Sequence, residues 1–211
     1  MEEIQIHDKV FIPFIPRKTI ETQVQQLAGE ISRDYAGKKP LLLGILNGSF
    51  IFAADLFRAL TIEAEISFVK LASYKGTSST GNVITAIGLE EDLSGRHIII
   101  VEDIIDTGKT LSSFLPSMHH MQPASLKIAT FLTKPDALQY DVKADYSAFE
   151  IENKFVVGYG LDYDGLGRNL PDLFVLKQRC RVYHSLRHTY ETFCTVTKFA
   201  VLIYTCSFAG T

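Results

Sequence analysis

The run Val101-Glu102-Asp103-Ile104-Ile105-Asp106-Thr107-Gly108-Lys109-Thr110 puts three carboxylates within five residues and then passes into a Gly-containing turn. If a helix starts there, the backbone N–H groups and hydroxyls of Thr107, Gly108, Lys109 and Thr110 form a phosphate cradle, favoured further by the helix dipole. Gly108 lets the backbone come close to phosphate oxygens. Glu102 and Asp103 would repel a polyphosphate by themselves. They make chemical sense as holders of sugar hydroxyls or of hydrated Mg²⁺, an ion that takes oxygen ligands and keeps its waters. Two other readings compete. A Walker A loop ending at Gly108-Lys109-Thr110 needs a glycine five residues before Gly108, where Asp103 stands, so that reading fails. A merely solvated strand end does not account for three carboxylates bracketed by isoleucines.

Such a motif needs a strand before it and a helix after it. His97 to Ile105 is isoleucine-rich and the strongest strand signal in the chain, and a helix is expected from about Thr107. Pro116 should kink or shorten that helix, because it removes one N–H and crowds the carbonyl of Ser112. Upstream, Thr19 can cap a helix, and Val24, Leu27, Ala28 and Ile31 recur at helical spacing between Thr22 and Tyr35. Lys39-Pro40 closes it. Leu41 to Leu46 is a continuous apolar run, as expected of a strand covered on both faces. Asn47-Gly48-Ser49 breaks that run, Ile51 to Leu60 reads as a helix, and Ile62 to Leu71 as a further strand. Ser73 to Asn82 is small and polar, a loop. Strands follow at Leu126 to Thr133 and near Lys154 to Tyr159. Alternation of this kind predicts an α/β fold, a mostly parallel twisted sheet flanked by helices, with ligands outside the carboxyl ends of the strands. The candidate motifs all follow strands.

Glu102 to Thr110 resembles the phosphoribosyl pyrophosphate loop of type I phosphoribosyltransferases, in the form found in the hypoxanthine-guanine branch. Other segments agree in the same order across roughly residues 5 to 178. The resemblance implies the type I phosphoribosyltransferase fold with a small hood over the base site. It implies purine salvage, in which hypoxanthine and guanine react with phosphoribosyl pyrophosphate to give IMP and GMP plus pyrophosphate, with Mg²⁺ as cofactor. By the same resemblance Asp106 takes the proton from the purine ring nitrogen, and Glu102 and Asp103 hold the ribose hydroxyls or metal. Asn47 and Gly48 form the pyrophosphate loop, where many relatives carry lysine in place of Asn47, and Arg168 binds pyrophosphate. Ser73 and Tyr74 open a mobile lid. Lys134 donates to the purine 6-oxo group, Phe155 stacks on the base, Val156 reads its edge through the backbone, and Asp162 ligates the metal. A homodimer or homotetramer is implied.

Composition agrees with a soluble enzyme: 211 residues, 46% apolar and 21% charged, with a net charge of −3 that invites no nucleic acid. Met1 to Lys9 carries Glu2, Glu3, His7 and Asp8 rather than an apolar core, so no membrane and a cytoplasmic location are expected. A phosphoribosyl pyrophosphate-sensing regulator on the same fold would need a basic nucleic-acid surface or an added domain. A xanthine-preferring enzyme is a closer alternative. Residues 1–178 form the phosphoribosyltransferase domain, and 179–211 an atypical tail. The tail holds all three cysteines and carries Arg179, Arg181, Arg187 and Lys198 against Glu191 alone, which leaves residues 1–178 at −6. Three readings of the tail are open: a non-native or disordered end, an extension packing on the body or on another subunit, or a membrane-touching segment. Truncation after Gln178 is expected to leave catalytic turnover intact in a steady-state assay; a truncated chain that cannot fold would assign the tail to packing.

Overall fold

The computed structural model describes residues 2–74, 83–88 and 92–178. The elements in chain order are β1 (Ile4–Ile6), β2 (Lys9–Ile15), α1 (Arg17–Asp34), β3 (Leu41–Leu46), α2 (Phe50–Ala59), β4 (Glu65–Tyr74), β5 (Val83–Ile87), β6 (His97–Ile105), α3 (Lys109–His120), β7 (Ser125–Thr133), β8 (Tyr146–Glu150), β9 (Val156–Val157) and β10 (Leu173–Leu176). Six strands form the main sheet in the order β5-β4-β3-β6-β7-β8. All neighbours from β4 to β8 are parallel, and β5 alone runs antiparallel, on β4. A second, antiparallel sheet has the order β1-β2-β10-β9.

Both faces of the main sheet are buried, and successive strand residues serve opposite faces. Leu42, Ile99, Val101 and Ala129 join Ile20, Val24, Leu27 and Ile31 of α1 and Phe52 and Leu56 of α2 in one core. Leu41, Leu43, Ile98, Ile100 and Ile128 join Leu111, Phe114 and Met118 of α3 in the other. That explains why β3 reads as a continuous apolar run and β6 as one from Ile98 to Val101. No helix among the described residues is long and apolar enough to cross a membrane.

The strands expected at Leu41 to Leu46 and His97 to Ile105 have those bounds, and Leu126 to Thr133 is longer by one residue. Several expectations are corrected. Thr19 does not cap α1: the helix starts at Arg17 after Pro16, with no capping side chain from its own segment. The Arg17 N–H instead donates to Asp172 Oδ1 at 2.6 Å, a cap supplied from 155 residues away. The strand read at Ile62 to Leu71 lies at Glu65–Tyr74, so Ser73 and Tyr74 belong to β4 by pairing with β5, not to a loop. Between Lys154 and Tyr159 only Val156–Val157 is strand, and it pairs with β10 in the small sheet. Helix α3 continues past Pro116 to His120. Its buried Leu111, Phe114 and Met118, at about 1.5–3 kcal/mol each, exceed the roughly 3 kcal/mol cost of an interior proline.

Candidate active site at the strand ends

Parallel register brings the carboxyl ends of β3, β6 and β7 side by side. Asn47-Gly48, Asp106 to Thr110 and Lys134 therefore leave the sheet along one edge. The Lys134 N–H donates to the Ile105 carbonyl at 3.0 Å, which holds the end of β7 against the end of β6. The Lys134 side chain is 7% exposed and its Nζ donates to Asp106 Oδ2 at 3.1 Å, whereas the Asp106 side chain is 47% exposed. A buried ammonium thus meets a carboxylate that still faces solvent.

Residues Glu102 to Leu111 line a cavity of about 240 Å³. Gly108, at φ +80°, turns the chain into α3, leaving Lys109 and Thr110 exposed on its first turn. The Thr107 carbonyl accepts from the N–H groups of Gln139 and Tyr140 at 3.0 and 3.2 Å, and its Oγ1 accepts from the Lys109 N–H at 3.3 Å. The turn is thereby fixed on both sides.

Glu102 and Asp103 are among the residues that line this cavity. Oε2 of Glu102 is buried and has no hydrogen-bond partner. Burial holds the Glu102 carboxyl well above the usual carboxylate range, and the neighbouring Asp103 charge adds to the rise. Burial raises Asp103 as well, opposed by its hydrogen bond with Glu102, by the Ile104 N–H at 2.8 Å and by the Arg168 charge. The backbone at Gly48 lies directly against this carboxylate: a Cβ there would overlap Asp103 Oδ2. The Leu46–Asn47 peptide bond is cis. Asn47 itself is exposed and Gly48 buried.

Arg168 and Asp162 are joined, Nη2 to Oδ1 at 2.6 Å. Arg168 Nη1 also donates to the Gly160 carbonyl at 2.7 Å, and Asp162 Oδ2 accepts from the Gly165 N–H at 2.7 Å. Phe155, 43% exposed, precedes β9, and Val156 is buried opposite Val175. This segment leaves the same sheet edge, because the Ile151 N–H donates to the Thr133 carbonyl at 2.9 Å. Ser73 and Tyr74 end β4; the rest of the expected lid, 75–82, lies outside the described residues.

Neighbours of Phe155 had no signal in the sequence. Tyr163 packs edge-on to its ring with centroids 5.8 Å apart, Phe11 lies at 6.2 Å, and Lys9 Nζ is 5.5 Å from the ring centroid. Lys9 and Phe11 come from β2, about as far away in sequence as the domain allows.

A family model described as phosphoribosyl transferase domain matches residues 16–164. The chain is 44% identical over 160 residues to a hypoxanthine-guanine phosphoribosyltransferase of Streptococcus pneumoniae, covering 75% of this chain and 89% of that protein. It is 38% identical over 160 residues to a hypoxanthine-guanine-xanthine phosphoribosyltransferase of Tritrichomonas foetus, covering 75% and 87%. Among solved structures, a hypoxanthine-guanine phosphoribosyltransferase of Bacillus anthracis with HEPES in its active site aligns at TM-score 0.72 and 34% identity, over 78% of this chain and 97% of that one. A hypoxanthine phosphoribosyltransferase variant of Trypanosoma cruzi, solved as a ternary substrates complex, aligns at TM-score 0.72 and 37% identity, over 78% and 94%.

Replacing Gly48 with alanine forces a methyl group into the Asp103 carboxylate. Gly48→Ala is expected to lower stability by about 1–3 kcal/mol, read as an earlier urea midpoint, and to weaken binding of inorganic pyrophosphate in calorimetry. A variant unchanged in both would mean that the loop lifts off Asp103 freely.

Proposed function

The chain belongs to the phosphoribosyl transferase domain family, and from that membership we propose that it is a purine salvage enzyme forming IMP, and GMP, from hypoxanthine, guanine and phosphoribosyl pyrophosphate. One observation carries the base assignment: Lys134 and Asp106, 3.1 Å apart at the ends of neighbouring strands. A 6-oxopurine presents an oxygen acceptor and, beside it, a ring nitrogen that carries a proton. The two side chains match that pair, Lys134 donating to the oxygen and Asp106 accepting the proton. Phe155 offers the base an exposed aromatic face, with the Val156 backbone at its edge. Phosphate oxygens of the ribosyl donor are held by the N–H groups and hydroxyls of Thr107, Gly108, Lys109 and Thr110. Pyrophosphate is held by the backbone of Asn47 and Gly48 and by the Arg168 guanidinium, whose planar fork suits phosphate. Ser73 and Tyr74, at the end of β4, are the proposed lid residues.

Mg²⁺ fits the residues present. The unpartnered, buried oxygen of Glu102 and the raised carboxyl of Asp103 are groups that a cation would stabilise in their charged forms. Among the described residues no three His, Cys, Asp or Glu side chains converge. That suits an ion held by one or two carboxylates and by substrate oxygens rather than by a protein cage. Asp162 is a third candidate ligand. When bound, the ion supplies charge neutralisation of the departing pyrophosphate.

As the bond from one imidazole nitrogen of the purine to the anomeric carbon forms, the bond from that carbon to pyrophosphate breaks, and the proton on the other imidazole nitrogen, the one beside the 6-oxo group, passes to an Asp106 oxygen. The Arg168 guanidinium stabilises the negative charge that builds on the leaving pyrophosphate. Assembly as a homodimer or homotetramer is part of the same proposal. The relatives named above are transferases, which favours this reading over a ligand-sensing regulator. The Tritrichomonas foetus relative keeps xanthine among the bases to be tested.

Asp106→Asn is expected to fold normally and to lose turnover by about 10² to 10⁴, the usual worth of general-base help. Nucleotide formation is assayed with hypoxanthine, guanine, xanthine and adenine, each with and without Mg²⁺. Product from the 6-oxopurines that depends on Mg²⁺ supports the proposal; unimpaired Asp106→Asn turnover, or adenine as the preferred base, overturns it.

A further inference from the structure

Between β9 and Asp162 the backbone does something uncommon. Gly158, Tyr159 and Gly160 all have positive φ, at +106°, +48° and +102°. Only glycine takes the outer two values without strain, and a tyrosine in the left-handed region is held there by its surroundings. Those surroundings are specific. The Tyr159 N–H donates to the Leu170 carbonyl at 2.8 Å, and its ring lies 4.7 Å from that of Phe131, centroid to centroid. Its hydroxyl donates to Asp55 Oδ2 at 2.9 Å. Burial, joined by the Asp55 charge, drives the phenol far above its usual range, so it remains a hydrogen-bond donor at any working pH.

Asp55 lies on α2, the helix that starts directly after Asn47-Gly48-Ser49. That helix is anchored at its start, where the buried Ser49 hydroxyl donates to the Ile45 carbonyl at 2.6 Å. On the other side of Tyr159, Gly160 touches the same loop: a Cβ on Gly160 would overlap the Gly48 carbonyl oxygen. Gly160 also exchanges hydrogen bonds with Arg168, its N–H donating to the Arg168 carbonyl at 3.0 Å and its carbonyl accepting from Nη1 at 2.7 Å. The contacts close a ring that runs from Gly48 through α2 to Asp55, across to Tyr159, and back through Gly160 to Gly48. Arg168 and Asp162 hang from one side of this ring and the Asn47-Gly48 backbone from the other.

We propose that Tyr159 and Asp55 are positioning residues for the leaving-group half of the site: their hydrogen bond sets the distance between the Asn47-Gly48 loop and the Asp162–Arg168 pair. Neither touches the base. The inference rests on the reading that this half of the site receives pyrophosphate. The purine half is held by other contacts: Lys134 and Asp106 by bonds at the ends of β6 and β7, and Phe155 and Val156 by packing on Phe11 and Tyr163 and by the pairing of β9 with β10. Loosening the ring should therefore be felt by the phosphorylated substrate and not by the base.

The test uses the full chain with Tyr159→Phe, Asp55→Ala and Asp55→Asn. Tyr159→Phe keeps the ring packing and removes the donor; Asp55→Asn keeps an oxygen acceptor. Expected are rises of about three- to tenfold in KM for phosphoribosyl pyrophosphate, and in its dissociation constant by calorimetry, for Tyr159→Phe and Asp55→Ala, the range one hydrogen bond carries. The KM for hypoxanthine should stay within about twofold, and Asp55→Asn should lie near the parent chain. If Tyr159→Phe fails to fold, the Asp55 pair carries the comparison. Equal rises in both KM values, no rise in either, or an Asp55→Asn as impaired as Asp55→Ala overturns the proposal. A parent chain that binds no phosphoribosyl pyrophosphate overturns the pyrophosphate reading itself, and this inference with it.

Discussion

The Asp103 carboxylate and the Gly48 backbone occupy adjoining space at the ends of β6 and β3, so close that no side chain fits between them. Burying a carboxylate in this way is costly, and the neighbouring Glu102 oxygen, without any partner, adds to the cost. Nothing in the packing of the core requires it, because Ile98, Ile99, Ile100, Val101 and Ile105 of the same strand are buried apolar residues. The stability of the sheet carries that local penalty, supplied by two cores on opposite faces. Carboxyls held above their usual range by burial are primed to gain from a cation or from sugar hydroxyls. The unfavourable interaction is thus the feature around which a binding site can be built.

Parallel topology makes the rest of the site possible. Lys134 and Asp106 stand 28 residues apart in sequence, yet the register of β6 with β7 places them one hydrogen bond apart. The small sheet does the same across a longer span. Its strands β2 and β10 join the two ends of the domain, and pairs such as Tyr163 with Asp8 and Lys177 with Glu3 fasten the edges. Those pairs are exposed and contribute little energy each. Their effect is to hold the Phe155 segment beside the ends of the main sheet.

Legibility followed the physics of burial. β3 and β6 are readable to the residue because strands covered on both faces are rich in apolar residues, Leu41 to Leu46 in β3 and Ile98 to Val101 in β6, and turn residues follow them. The chemical motifs were readable because their glycines and acids make no sense in a core. The edge strands β5 and β8 and the short strands β1 and β10 are not, since short or half-exposed strands carry weak periodicity, and β9 is legible in place but not in length. The start of α1 was misread at Thr19 because its cap comes from Asp172, which no local pattern can announce. Pro116 does not end α3 for a related reason: tertiary burial of Leu111, Phe114 and Met118 outweighs a local penalty. The Tyr159–Asp55 bond, 104 residues apart, left no trace in the sequence at all.

Two ion pairs share the site, and they differ in a way that bears on selectivity. Asp162 and Arg168 are each 28% exposed, so water can compensate either one when the pair parts. On the proposed reading, phosphate would take Arg168 and a cation Asp162, and the separation costs little. Lys134 is nearly enclosed, and only Asp106 among the described groups answers its charge. A base that enters must replace that partner with an acceptor, or leave a buried ammonium unpaired at a cost of about 1–3 kcal/mol or more. A 6-oxo group meets the demand; an exocyclic amino group at the same position cannot. On the proposed reading, discrimination against aminopurines would arise less from what the pocket offers the right base than from what the wrong base would strand inside it.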